Sequence, residues 1–546
     1  MSGPSTWVGD VVSNDGMIFN AAGSSWTGDA LANAGTITTT SLWTGNITSS
    51  GRLAAGGSIT GAVANTGELE LVGDLTVGSV SFGGDAFFDV DLEAAGVGEM
   101  LTSTGAAALD GTVRVTAGST MTSGDYLTSY DILTASAITG EFDGVTTDLA
   151  FLAPTLSYTS TTASVTLQRN TQEFSAVGVT PNQQAVANQI ENELGEGNAL
   201  YGAVLWLTPE EAQSAFDQLS GEVYASAEAA AAGKAMVVGD IALDRVDKAF
   251  DGINARGSAS GYAASSADLA DGSGSTALWT EFYGAFDNAD GDNGTSATDS
   301  SVSGVALGLD GLLGDWRLGM MLNAGTGDTN VAALGSTVTG TSYGFGVYGG
   351  TNWGDTRLAL AGTYARQDNA STRTVAFGNF TEELSADYAS TTMLASARLS
   401  HEFDFGAVSL IPYASAAYVD HRTDGFSETG GVAALTANGS HSATTFGAIG
   451  ATVSYQMLLE DGVLVTATGS LGWQHSFAEG GDASLALAGG TPITISGTSP
   501  DSDVAAIAAG VNFDLNDTTA LDLSYGGQIG AGSQTHVVSG TWATKF

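Results

Sequence analysis

The chain has 546 residues, including 76 Gly, 7 Pro and no Cys, with 13% charged residues and a formal net charge of -45. Mean hydropathy is +0.12 without any run near the ~20 apolar residues of a spanning helix, which excludes a helical membrane protein and leaves the dispersed pattern of a membrane β-barrel. Only 14 Lys and Arg against 59 Asp and Glu exclude a nucleic-acid partner, for want of a basic cluster, and the missing Cys excludes disulfides, thiol catalysis and Cys-zinc sites.

Met1 to Trp7 shows neither a basic start nor an apolar run. A chain bound for export is therefore expected to be numbered from after a removed signal, or from a misplaced start codon. Residues 1–170 are rich in Gly, Thr, Ser and Val and carry a repeat. Trp7, Trp26, Trp43 and Ile59 open successive units, Asn14, Asn33 and Asn65 precede a turn glycine, and Ile18, Ile37, Leu53 and Leu69 follow it. Such spacing is about one rung of a parallel β-helix, each rung covering its neighbour's apolar face. A flat meander is the alternative. Strands continue through Phe87–Val90, Leu109–Val115 and Tyr126–Leu133 to Phe142.

From about residue 171 the periodicity turns helical. Pro181–Leu194 reads as one helix, and Thr208-Pro209-Glu210-Glu211 is a capping box with Pro at the first helical position, opening a second helix that stops near Ser220-Gly221. A third, Ala-rich helix runs from Glu222 to Phe250; at 1.5 Å per residue it is about 40 Å long, enough to cross a bilayer core. It is too polar to meet lipid, but it suits the inside of a water-filled barrel. Arg245 and Lys248 near its end are expected to face acidic groups such as Asp522 in that lumen, against the plainer reading of a solvated helix end. Residues 251–276 read as a Gly/Ser/Ala linker.

Twelve strands follow, centred near Phe282, Ala306, Met320, Phe345, Leu360, Leu394, Tyr413, Ala448, Thr466, Ile507, Leu523 and Val538. Short turns such as Leu313-Gly314-Asp315 alternate with longer stretches near 287–301, 326–339, 367–387, 420–440 and 478–500. An even strand count with short turns on one rim and long loops on the other predicts a closed antiparallel outer-membrane barrel. The final strand places Val538, Trp542 and Phe546 on one face, with Ser539, Thr541, Ala543 and Lys545 on the other. An amphipathic strand ending a chain needs a partner to close its edge, and these three apolar residues are expected to form the closing, assembly-directing strand.

All five His lie beyond residue 400, so residues 1–270 hold neither His nor Cys. A Ser-His or Cys-His site cannot be built there. Ser273, within Gly272-Ser273-Gly274-Ser275, reads as linker. Asn288, Asp290 and Asp292 have calcium-loop spacing, but the required glycine comes one place late, at Gly294. No enzyme, metal or cofactor is expected.

Two groups of residues resemble one family. Phe88-Asp89-Val90-Asp91, Leu109-Asp110-Gly111-Thr112-Val113 and Tyr130-Asp131-Ile132-Leu133 look like the last passenger rungs of autotransporters, and Phe216–Ala227 is similar to the autotransporter junction. The resemblance to a type V, monomeric autotransporter implies a right-handed β-helical passenger over 1–170, a helical linker and pore helix over 171–272, and a translocator barrel over 273–546. It implies an outer-membrane location with the passenger at the cell surface. It also implies help from the barrel-assembly machinery and periplasmic chaperones, and self-secretion without ATP. The acidic Thr/Ser-rich faces suggest an adhesin or self-association module contacting host or neighbouring cells; the alternative is a pore-like translocator with a vestigial stalk. Many members cut themselves between two adjacent Asn in the pore helix. Residues 222–250 contain no Asn, so the passenger is expected to stay attached.

Overall fold

The computed structural model describes every residue except 1–4, 95–97, 119–120, 122–123, 252–275, 293, 460–461, 478–480, 517 and 546. Nearly all of the linker segment, with Ser273, and the terminal Phe546 thus lie outside the described residues. The chain forms two compact units: residues 1–179, 187–216 and 376–381, and residues 180–186, 217–375 and 382–546.

In the first unit, strands stack in parallel with the register of the sequence repeat. Trp7 pairs with Trp26, Trp26 with Trp43 and Trp43 with Ile59. A second column runs Ile18, Ile37, Leu53, Leu69, Phe88, Val113. A third runs Ala30, Ile47, Val63, Val80, Ala107, Ile138. Three faces therefore repeat at each level, and one apolar side chain per face sits over its counterpart. Ile37, Trp43, Ile47, Leu53 and Ile59 are fully buried, each contributing roughly 1.5–3 kcal/mol. The tryptophan rings stack at 5.1 and 4.7 Å. Buried polar groups are paired along the stack: Asn14 Nδ2 donates to Asn33 Oδ1 at 2.6 Å, and Asn33 Nδ2 to Ser49 Oγ at 2.9 Å. The parallel order ends where Leu152–Tyr158 and Thr162–Arg169 form an antiparallel pair, the latter strand also pairing antiparallel with Ser129–Gly140.

The helices follow the sequence cues. α1 spans Pro181–Asn188 and runs into a π-helical turn, Gln189–Leu194; α2, Ala199–Val204, has no strong sequence signal. α3 is Pro209–Ser220. Its capping box forms in both directions, with Glu211 N–H donating to Thr208 Oγ1 at 3.3 Å and Thr208 N–H to Glu211 Oε2 at 3.0 Å. α4 is Glu222–Asp251. Gly221, at φ +71°, separates the two helices.

The second unit is a closed antiparallel barrel. Its strands are β1 Ala277–Ala289, β2 Thr298–Leu313, β3 Trp316–Val331, β4 Ser336–Trp353, β5 Thr356–Phe377 and β6 Phe380–His401. They continue as β7 Val408–Thr423, β8 Ser440–Leu458, β9 Leu464–Ser476, β10 Asp503–Asp514, β11 Thr519–Ile529 and β12 Ser533–Lys545. Neighbours in sequence pair throughout, and β1 pairs with β12 to close the cylinder. Phe282, Leu322, Phe345, Ile449, Leu471, Leu523, Val538 and Trp542 are exposed on the outside. Exposed Trp316 and Trp353 flank the short turns, as in the aromatic girdles of membrane barrels.

Two of the loops expected from sequence are strand. Residues 326–331 and 336–339 extend the β3–β4 ladder, leaving only 332–335 as the connection, and 367–377 with 380–387 extend β5 and β6. These extensions carry Thr, Ser, Asn and Arg on both faces because they leave the hydrocarbon zone, so they lose the alternation that marks a strand there. The connections 424–439 and 477–502 instead fold part of themselves into a four-stranded antiparallel rim sheet, Phe426–Ser427, Leu435–Ala437, Asp482–Leu487 and Ile493–Ser496.

Candidate functional site: the barrel lumen and its helix

Runs of alanine and the first-turn Glu222 with last-turn Lys248 favour α4 as a helix, while its small side chains let it approach a wall closely. Ile241, Ala242, Leu243 and Val246 pack on inward Trp279, Ala306, Met321, Tyr348 and Ala359 of β1–β5. Further along, Ala232 packs with Leu394, Ala417, Val419 and Phe446. α4 therefore lies inside the barrel against one side.

Ion pairs fix it along its length. Arg245 donates from Nε to Asp310 Oδ2 at 2.7 Å and from Nη2 to Oδ1 at 3.0 Å, and Arg317 Nε donates to the same carboxylate at 2.6 Å. Tyr348 Oη also donates to Asp310, at 2.9 Å, and accepts from Trp279 Nε1 at 2.6 Å. The side chains of Arg245 and Asp310 are 4% and 0% exposed, so this carboxylate has exchanged water for four donors. Lys248 Nζ lies 2.7 Å from Asp522 Oδ1. Sequence reasoning named Asp522 for both cations; the structure brings it to Lys248, and gives Arg245 to Asp310 instead.

Arg398 on β6 meets three carboxylates of α4, Asp244 at 2.6 Å, Asp247 at 3.1 Å and Asp240 at 3.3 Å. Arg357 on β5 reaches Asp247 at 3.4 Å, and Lys234 donates to Asp328 O and Thr329 Oγ1 at 2.8 and 2.9 Å. Near the start of α4, Tyr224 donates to Glu428 Oε1 at 2.6 Å, and Arg373 holds both Glu428 oxygens at 2.7 and 3.0 Å. Arg373 also caps α3 by donating to Gln218 O at 2.8 Å. Seven of the chain's 14 Lys and Arg are spent on these contacts in a strongly acidic protein. Asp310, Arg317, Arg357, Arg373, Arg398 and Glu428 were missed from sequence. For Asp310, Arg357 and Arg398 the signal was a charged residue at an inward position of a strand, with the sign opposite to the α4 residue it meets.

The rim sheet covers the start of the helix. A Cβ on Gly221 would strike Leu435 and Leu485, and one on Gly497 would strike the backbone at Ala225 and Ser226. Thr498 N–H donates to Ser226 Oγ at 3.0 Å. Asn182 mimics a strand, giving Nδ2 to Ser496 O at 2.8 Å and accepting Ser496 N–H at 3.0 Å.

Val538 and Trp542 lie on the outer face of β12, which pairs with β1 and β11. On its inner face Thr541 donates to Glu281 at 2.9 Å.

A closed twelve-stranded barrel with an apolar outside and a charged lumen holding a helix defines an outer-membrane β-barrel rather than a soluble sandwich. The family follows from sequence: residues 278–526 match the autotransporter beta-domain. The barrel is accordingly an autotransporter-type domain of the bacterial outer membrane, of the kind that serves to secrete a passenger. Two extracellular serine proteases of Serratia marcescens are each 25% identical to this chain over 460 residues, covering 76% of it and 42% of theirs. The chain thus spans well under half the length of those relatives. Among solved structures, it is similar to the translocator domain of the autotransporter NalP from Neisseria meningitidis, at 15% identity and TM-score 0.45, covering 60% of this chain and 100% of that one. It is also similar to the beta domain of the Bordetella autotransporter Brka, at 19% identity and TM-score 0.37, covering 50% and 99%.

The relatives correct one expectation. The lack of His in residues 1–270 led to a reading of the chain as no enzyme, yet both curated relatives are proteases. The histidine argument bears on a site built within those residues alone.

Proposed function

We propose that the barrel exports the residues that precede it and retains α4 as the last segment threaded, so that α4 both narrows the lumen and tethers residues 1–170 at the cell surface. The direction of α4 carries this reading. Its first residues meet the rim sheet and Ser296, which donates its N–H to Glu222 at 2.6 Å, whereas its end meets β2, β5 and β11 near the short turns. β1 starts at that same rim, opposite Lys545. The segment preceding α4 therefore leaves the lumen at the rim bearing the longer loops. Protease added to intact cells tests this: residues 1–170 are trimmed while the barrel survives. Protection of residues 1–170 would refute it. Arg245→Ala with Lys248→Ala should raise the conductance of the reconstituted barrel, and an unchanged conductance would deny Arg245, Lys248 and Asp522 a role in holding α4 there. Val538, Trp542 and Phe546 would direct assembly by the barrel-assembly machinery; Trp542→Ala should then lower the amount of folded barrel in the membrane.

For the cargo, the relatives favour an exported serine protease. A Ser-His-Asp site would draw its base from outside residues 1–270, since these hold no His. Labelling of expressing cells by a fluorophosphonate probe, lost on prior treatment with a serine-protease inhibitor, is the expected result. Adhesion or self-association is the second reading, favoured by exposed Leu31, Leu42 and Phe87 on levels of the stack that have neighbours on both sides. Cell aggregation that disappears on deleting residues 1–170 would select it.

A further inference from the structure

Although α4 packs on one side of the lumen, a cavity of about 1980 Å³ runs beside it. Its lining follows the helix from Glu228 to Phe250, which at 1.5 Å per residue is about 33 Å, the thickness of a hydrocarbon core. Turn residues Gly314, Gly354 and Gly462 line one end, and Asp482, Pro500 and Ser533 the other. The void therefore reaches both rims. Spread over that length, the volume gives a mean cross-section of roughly 60 Å², several water molecules wide.

The two walls differ. On β8–β11 the lining is neutral and hydroxyl-rich, with Thr452, Ser454, Thr466, Thr468, Ser470 and Ser524. Facing it, α4 presents Asp240 and Asp244, whose side chains remain 43% and 49% exposed despite sharing Arg398. Among the described lining residues there are 13 Asp and Glu against 5 Lys and Arg. Each of those five cations already has an oxygen partner in the structure: Lys234 on Thr329, Lys248 on Asp522, Arg317 on Asp310, Arg357 on Asp247 and Arg398 on Asp244. Carboxylates with low-dielectric walls around them concentrate cations and repel anions.

We propose that the barrel conducts small inorganic cations, in preference to anions, through this passage while α4 stays seated, and that Asp240 and Asp244 set the preference. The proposal rests on the reading of α4 as a resident of the lumen, and the test separates the two. The full chain is reconstituted in a planar bilayer under a tenfold KCl gradient. A steady conductance is expected, with a reversal potential more than halfway to the ~59 mV limit of a perfect K⁺ conductor. Asp240→Asn with Asp244→Asn should at least halve that displacement. Thr468→Lys, on the opposite wall and away from the helix contacts, should reduce it too. Because the chain has no Cys, Val246→Cys with Gly350→Cys can lock the helix to β4, where a Cβ on Gly350 would touch Val246. Conductance retained in the locked protein supports the passage. Loss of conductance on locking, absence of current above bare lipid, or a reversal potential at zero or on the chloride side would overturn it. Failure of the cysteine pair to cross-link would instead overturn the seating of α4.

Discussion

Neutralising Asp310 strands two guanidiniums at once, whereas removing Arg245 leaves Asp310 with Arg317. An uncompensated buried charge costs about 3–5 kcal/mol. Asp310→Leu is therefore expected to lower barrel stability by that amount, and Arg245→Met by clearly less, as read from the denaturant midpoint of the folded-to-unfolded gel shift. A second residue makes the first unit pH-sensitive. Burial, with the charge of Asp91 adding to it, pushes the Glu99 carboxyl from its ordinary value near 4.5 up to about 7. The folded state thus holds a proton that the unfolded state releases first. Stability is fully present below pH 4.5 and is lost as pH rises toward 7. Hydrogen exchange of Leu101–Leu109 should accelerate relative to the rest of the stack between pH 5 and pH 8 beyond the intrinsic rate change, and Glu99→Gln should abolish that excess.

At the scale of elements, two positions decide whether neighbours keep their places. Gly221 holds a left-handed φ between α3 and α4, so Gly221→Ala adds roughly 1–2 kcal/mol of backbone strain before Leu435 and Leu485 shift. The expected outcome is faster proteolysis of the α3–α4 junction with the barrel still folded. Trp43 is wholly buried in the tryptophan column, and Trp43→Ala should destabilise the stack by about 3–5 kcal/mol, seen as a lower thermal midpoint of its fluorescence transition. Elements of this kind were legible because their physics is local. The Trp-x-Gly repeat gave the rung register, the capping box gave α3, and each of the twelve strand centres falls inside a strand. What escaped depends on partners distant in sequence. The rim sheet joins residues 426–437 to 482–496, and nothing near Leu435 foretells Leu487. Likewise Lys248 was assigned to Asp522 from polarity alone, but the choice of Asp310 for Arg245 needs the helix's rotation in the lumen.

Over the whole molecule, 59 carboxylates face 14 Lys and Arg, and half of those cations serve the lumen. The first unit keeps only Arg52, Arg114 and Arg169, so its surface repels itself. Raising ionic strength shortens the range of that repulsion from ~30 Å at 0.01 M to ~8 Å at 0.15 M. The unit's thermal midpoint should therefore rise with NaCl over that interval, while the buried pairs of the barrel respond little. The antiparallel pair of Leu152–Tyr158 and Thr162–Arg169 has one more consequence. It covers the last parallel strand at Ser129–Thr134, so that an incoming parallel strand finds no template there. Assembly of the column is thereby given a polarity, so that each level added is held by the one below and retreat demands dismantling from the tip.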